Sequence, residues 1–175
     1  MPTNWKESGL RWYWVVVLVF IADQLSKQWV LTHFELRESV QLLPFFNFTY
    51  LRNYGAAFSF LSDAGGWQRW LFTIVALGFS TLLTVWLRKQ PLQMWRLNVA
   101  YTLVIGGALG NLIDRLQHGF VVDFLHFYWK SNHFPAFNIA DSAICIGAGL
   151  IIIDSIITDR NDKKKQAQNN HSAKE

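Results

Sequence analysis

Four aspartates in this sequence stand where a carboxylate is costly. Asp23, Asp114, Asp123 and Asp141 each lie within or beside a run of apolar residues. An aspartate at the centre of a bilayer costs at least about 2.5 kcal/mol on insertion scales, so such residues tend to face a bundle interior and to serve a function. The other acids are explained by solvent. Glu7, Asp159, Asp162 and Glu175 fall at polar ends of the chain, and Glu35, Glu38 and Asp63 fall in polar connections. Asp154 lies one turn from the end of an apolar run, can reach the interface, and reads as structural.

Asp123 and Asp141 have no basic neighbour at helical spacing. Brought together in a poorly hydrated site, two carboxyls cannot both ionise cheaply, and the pair holds one proton. One member then acts as base toward a water while the other donates to a carbonyl oxygen or a leaving amine, the division of labour in aspartic proteases. That chemistry needs no metal, cofactor or nucleophilic side chain. Spacing leaves it open against a buried polar network, because nothing in the sequence makes the two residues meet. Asp23 and Lys27 are four apart on one helical face, which suits an ion pair and also suits a role in shaping a site. Asn111 and Asp114 share a face in the same way, with Arg115 next to them, and predict a network of charge and hydrogen bonds.

Rival nucleophiles are weaker. Ser26 directly precedes Lys27, and adjacent helical residues point apart, which disfavours a serine–lysine dyad. The patterns GxSxG and GxGD are absent, and GGALGN and GAGL read as helix-packing glycines. His33, His118, His126 and His133 read as loop or interfacial residues, and no Cys/His cluster has metal-ligand spacing. The lone Cys145 excludes an internal disulfide and reads as a small packing residue.

The elements that must position these groups follow from composition. Of 175 residues, 51% are hydrophobic and 16% aromatic, with only 16% charged, greasier than a typical soluble domain. Mean hydropathy is nonetheless only +0.15, so the apolar residues are concentrated. Four stretches approach the roughly 20 apolar residues that cross about 30 Å of hydrocarbon. They are Leu10 to Leu31, Gln68 to Leu87, Trp95 to Leu116 and Asn138 to Ile157. Trp12, Tyr13, Trp14, Trp29, Trp67, Trp70, Trp86 and Trp95 crowd their ends as an interfacial belt does. The first stretch is broken by Asp23 and Lys27 and lacks a small-x-small cleavage site, so it reads as a retained helix.

Basic residues set the orientation. Lys6, Arg11, Arg88, Lys89, Arg96, Arg160, Lys163, Lys164, Lys165 and Lys174 fall at one set of ends, and only Arg37, Arg52, Arg69, Arg115 and Lys130 at the other. Both termini are thereby predicted to be cytoplasmic, and the four aspartates to share one level near the outer face. The net charge of +4 is a topology signal and does not point to nucleic acid.

On the outer side, FFNFTYLRN within segment 34–67 and GFVVDFLHFYW within segment 117–137 have the alternation and β-branched or aromatic content of strands. They predict a small extracytoplasmic β-sheet. YGAAFSFLSDAGGW predicts a short interfacial helix, and its glycine-bounded part, Tyr54 to Gly66, suits a lid. The fold class is an all-α membrane protein with these additions. Residues 1–160 form a single membrane domain, and the lysine-rich residues 161–175 read as a disordered cytoplasmic tail.

Five blocks in order carry a resemblance: DQLSK (Asp23 to Lys27), RNYGAAFSFL (Arg52 to Leu61), GGALGNLIDRL (Gly106 to Leu116), GFVVDF (Gly119 to Phe124) and FNIADSAI (Phe137 to Ile144). From Leu10 to about Thr158 the chain resembles the bacterial signal peptidase II family. That resemblance implies a four-helix protease of the bacterial inner membrane, with catalytic aspartates at Asp123 and Asp141. It implies that Asn53, Asn111, Asp114, Arg115, Asn138 and Ala140 line or support the site, and that Asp23 and Lys27 stabilise the core. Substrates would be prolipoproteins whose cysteine carries a diacylglyceryl group, cleaved just before that cysteine. Membrane phospholipid and the cyclic peptide inhibitor globomycin are the other implied partners.

Two other classes remain to be weighed. A small transporter or proton channel would use the same acids as an ion path, with polar residues continuing to the inner side. Instead Leu97 to Leu109 and Ala143 to Ile153 are apolar apart from Asn98, Tyr101, Thr102 and Cys145. In a structural or chaperone-like protein the acids would be packing networks alone.

Overall fold

A computed structural model describes residues 2, 4–55 and 65–172. Helices α1 (Tyr13–His33), α2 (Gln68–Lys89), α3 (Trp95–His118) and α4 (Ile139–Ser172) carry the fold. Four spans within it are long and apolar enough to cross a membrane: Gly9–His33, Gln68–Lys89, Trp95–His118 and Ile139–Gln166. Hydrocarbon offers the backbone no hydrogen bonds, so each apolar run closes its own as a helix. Helix α3 is the central column, with 61% of its span buried against 22–28% of the others. Its small residues explain this: Gly106 packs on Val19 of α1, and Gly107 and Gly110 face α4 and Asp23.

The ends of the helices follow local chemistry. Helix α2 stops before Gln90, which is extended at ψ 138° because it precedes Pro91. Helix α3 stops at Gly119, whose φ of 82° is the left-handed conformation that glycine adopts freely, and whose N–H bonds to the Arg115 carbonyl. Trp14, Trp29, Trp67, Trp70, Trp86 and Trp95 are exposed near helix ends, as an interfacial belt requires.

One end of the bundle bears a four-stranded antiparallel sheet in the order β1 (Ser39–Leu43), β2 (Phe46–Asn53), β3 (Val121–Trp129), β4 (Asn132–His133). Val30 of α1, Tyr50 of β2, and Val122 and Phe124 of β3 form a buried cluster that fastens the sheet to the helices. At the opposite end, the turn after α2 is clamped by the N-terminal 3-10 turns: Gly9 N–H donates to the Gln90 carbonyl at 2.9 Å, and Leu92 N–H to the Glu7 carbonyl at 2.8 Å.

Two expectations change. Residues 161–172 are helical, not an irregular tail, since α4 runs on to Ser172. Lysine, glutamine and alanine favour helix, and extending a helix already nucleated by a span is easy. Cys145 is exposed on α4 instead of packed within the bundle. The expected interfacial helix and lid fall largely on 56–64, which lie outside the described residues.

Candidate active site

Asp141 owes its position to the start of α4. Asn138 Oδ1 accepts the Asp141 N–H at 2.8 Å, and Asp141 Oδ2 accepts the Asn138 N–H at 3.3 Å. This reciprocal pairing is a capping box, in which two otherwise orphaned donors are satisfied by side chains three apart. The positive end of the helix dipole also favours an anion there. A carboxylate at the head of an apolar run is therefore a helix-start residue, and it remains half-buried.

Asp123 arrives by a different route. On β3 it pairs with Leu51 of β2, and at 3% exposure its side chain is shut from solvent. Asn53, two residues along β2, donates Nδ2 to Asp123 Oδ2 at 3.0 Å, and Asn138 donates Nδ2 to Asp123 Oδ1 at 2.8 Å. Burial, with the Asp141 carboxylate next in weight, pushes Asp123 up to about 7, against the hydrogen bonds from Asn53 and Asn138 that favour its anion.

Asn138, fully buried, thus touches both carboxyl groups, that of Asp123 through its amide nitrogen and that of Asp141 through its backbone N–H, while its amide oxygen holds the Asp141 N–H. Asn111 completes the link. Its Nδ2 donates to Asp141 Oδ1 at 2.8 Å, while its Oδ1 accepts from Asn138 Nδ2 at 3.2 Å and from Lys27 Nζ at 2.9 Å.

Behind this layer lies a cation. Lys27 Nζ sits 2.8 Å from Asp23 Oδ2 and 2.9 Å from Asp114 Oδ2. With Asn111 these contacts use all three of its donors. Ser26 Oγ donates to the Asp23 carbonyl at 2.8 Å, so no serine–lysine dyad forms. Asp23 Oδ1 accepts the Ala140 N–H at 2.9 Å, and Asp114 Oδ2 accepts the Val122 N–H at 3.0 Å. Arg115 closes the rim, donating Nη2 to the Gly55 carbonyl at 2.8 Å and Nη1 to the Asn111 carbonyl at 3.2 Å, with its guanidinium 5.0 Å from the centre of the Phe72 ring.

The expected residues Asp23, Lys27, Asn53, Asn111, Asp114, Arg115, Asp123, Asn138, Ala140 and Asp141 accordingly form one continuous network. The i, i+4 pairing of Asp23 with Lys27 and the network at Asn111 and Asp114 are both present. Sequence reasoning missed Gln24, whose Nε2 donates to Asp23 Oδ2 at 3.2 Å, to Asp114 Oδ1 at 3.0 Å and to the Gly110 carbonyl at 3.2 Å. Its only signal was a place inside DQLSK, and adjacency to Asp23 argues against a shared direction. Gly107 and Gly110 permit the close approach: a Cβ on the first would strike the Ala140 carbonyl oxygen, and one on the second the Asp23 carboxylate.

Fold and site together define a multi-pass membrane protein with a largely buried carboxylate centre at the sheet end of its bundle. The sequence model described as signal peptidase (SPase) II matches residues 15–157, and the chain belongs to that peptidase family. It is 89% identical over 156 residues to a lipoprotein signal peptidase of Shewanella woodyi, covering 89% of each chain. It is 79% identical over 176 residues to a lipoprotein signal peptidase of Shewanella sediminis, covering 100% of both. A bacterial membrane enzyme solved by the in meso method superposes with a TM-score of 0.76 at 36% identity, over 85% of this chain and 88% of that one. A second superposes with a TM-score of 0.70 at 37% identity, over 80% and 88%.

Proposed function

We propose that this protein is an aspartic endopeptidase of the bacterial inner membrane that removes the signal peptide from prolipoproteins, cutting before a diacylglyceryl-modified cysteine. The reading rests on family membership and on one observation: a single buried asparagine, Asn138, is hydrogen-bonded to two aspartates that lie far from other acids in their own segments. Asp123, the more deeply buried, carries the shared proton. Asp141, supplied with donors by Asn111 and the Asn138 N–H, is the base.

In the first step Asp141 takes a proton from water, the water oxygen bonds to the scissile carbonyl carbon, and Asp123 gives its proton to the carbonyl oxygen. In the second, the tetrahedral intermediate returns a hydroxyl proton to Asp123, the C–N bond breaks, and the amine leaves with the proton held by Asp141. Arg115 holds the Gly55 carbonyl and the outer turn of α3 beside the pair. No step calls on a cofactor. The substrate's signal helix lies among the apolar helices with its acyl chains in the outer leaflet, among phospholipid. This brings the bond to be cut to the water boundary where the aspartates stand. Both termini are cytoplasmic under this reading, by the bias of basic residues.

Purified protein in detergent, supplied with a diacylglyceryl-modified prolipoprotein, tests it. Asp123→Asn and Asp141→Asn should each lower turnover by about 10³-fold or more while leaving the protein folded, because the amide cannot exchange the proton. Chelators should leave the rate unchanged, and globomycin should inhibit. Normal turnover by either variant overturns the assignment. An ion-conducting role gains nothing from the structure, since beyond the Lys27 network Asn98 and Thr102 are bonded to backbone carbonyls.

A further inference from the structure

Asp23 and Asp114 make matching contacts. Asp23 Oδ1 holds the N–H of Ala140, the residue before Asp141, and Asp114 Oδ2 holds the N–H of Val122, the residue before Asp123. The distance between these two buried carboxylates therefore sets where the chain enters each reacting aspartate. Two groups bridge them. Lys27 lies between their Oδ2 atoms at 2.8 and 2.9 Å, and the Gln24 amide nitrogen lies between Asp23 Oδ2 and Asp114 Oδ1 at 3.2 and 3.0 Å.

We propose that Gln24 is a positioning residue for peptide-bond hydrolysis: its amide ties Asp23 to Asp114, and through the Ala140 and Val122 backbone N–H groups fixes the separation of Asp141 and Asp123. The proposal builds on the aspartate-pair reading above. One lysine cannot neutralise two carboxylates, and the excess negative charge drives Asp23 and Asp114 apart. A neutral group with two hydrogens opposes that separation without changing the charge of the site, and a primary amide has both. The Gly110 carbonyl, 3.2 Å away, shares one of those two hydrogens and ties the same nitrogen to α3. Its amide meets the carboxylates of Asp23 on α1 and Asp114 on α3, both paired with Lys27, and the remaining charged groups of the network, Arg115 on α3, Asp141 on α4 and Asp123 on β3, connect to it through Asn111 and Asn138. A misplacement of about 1 Å in a reacting group costs on the order of 10²-fold in rate, so a frame of this kind acts on kcat more than on binding.

Steady-state cleavage of a diacylglyceryl-modified prolipoprotein by the full-length protein, with kcat and KM measured separately, tests this. Gln24→Leu should lower kcat about 10- to 100-fold with KM within about twofold. In Gln24→Glu the new carboxyl can donate a hydrogen bond only while protonated. Its kcat relative to wild type should rise about fivefold or more between about pH 8 and about pH 5.5. Gln28→Ala, an exposed position one turn along α1, should match wild type. A kcat within about twofold of wild type for both Gln24 variants overturns the proposal. So does a loss in Gln24→Glu that tracks a lower melting temperature and shows no recovery at acid pH. Turnover retained by Asp123→Asn or Asp141→Asn would remove the aspartate pair itself, and this proposal with it.

Discussion

Each end of the helical bundle holds an ion pair, and the two differ in what surrounds them. Away from the sheet, Arg96 and Asp154 join α3 to α4 at 3.0 Å, with side chains 43% and 12% exposed. At the sheet end, Lys27 sits between Asp23 and Asp114 with all three side chains at 3% exposure or less. A pair in contact with water contributes about 0–1 kcal/mol, because solvation competes with it. A buried pair contributes little when compared with an apolar replacement, yet losing one partner costs about 3–5 kcal/mol by stranding the other charge. The first pair fastens two helices, whereas the second also carries the backbone contacts that hold the segments of Asp123 and Asp141.

The largest contrast should come from Lys27→Met. It leaves Asp23 and Asp114 facing each other without a cation and should destabilise the protein by about 3–5 kcal/mol, read as a loss of folded protein in detergent unfolding. Gly107→Ala should follow at about 1–3 kcal/mol, because the added methyl meets the Ala140 carbonyl oxygen and pushes α4 off α3. Gly149→Ala, with open space around it, should change stability by less than about 1 kcal/mol. Comparable unfolding curves for Gly107→Ala and Gly149→Ala would mean that close approach of α3 and α4 does not matter.

A pH series sharpens the comparison further. Asp123 is raised to about 7, so the native protein holds that proton more tightly than an unfolded chain does. Its contribution to stability is full below about pH 4 and is lost as the pH rises to about 7. The melting temperature of the wild type should fall across that window, and that of Asp123→Asn should fall less. Turnover should decline above about pH 7 as the shared proton leaves. A rate that keeps climbing beyond about pH 8 would contradict a proton on Asp123. The smallest effect should belong to Asp154→Asn, at about 1 kcal/mol or less with unchanged kcat, measured by melting and by cleavage in parallel.

Much of this site was legible because its signals are local. The Asp23–Lys27 pair follows from four-residue spacing on a helix, and the alternation in FFNFTYLRN and VVDFLHFYW matches β2 and β3. The capping box is likewise written in Asn-Ile-Ala-Asp, where spacing alone lets Asp141 cap the helix start as well as join a proton-sharing pair. Gln24 was not legible. One position along a helix turns a side chain by about 100°, and only the tight contact of α1 with the glycine face of α3 lets neighbouring residues reach the same partner. The helical course of residues 161–172 was missed because composition describes an isolated segment, whereas a helix entering from a span needs no new nucleus.

By itself, then, the sequence determined four membrane-length helices, the strands between them, and which acids stand in costly places, since hydrophobic run length and residue spacing act along the chain. The tertiary structure decided that Asp123 and Asp141 converge on Asn138, and that Asp23 and Asp114 each grip the backbone beside one of them. Those contacts join residues from α1, α3, β3 and α4. They exist because glycines let three helices close on one another while strand pairing pins the fourth partner above them.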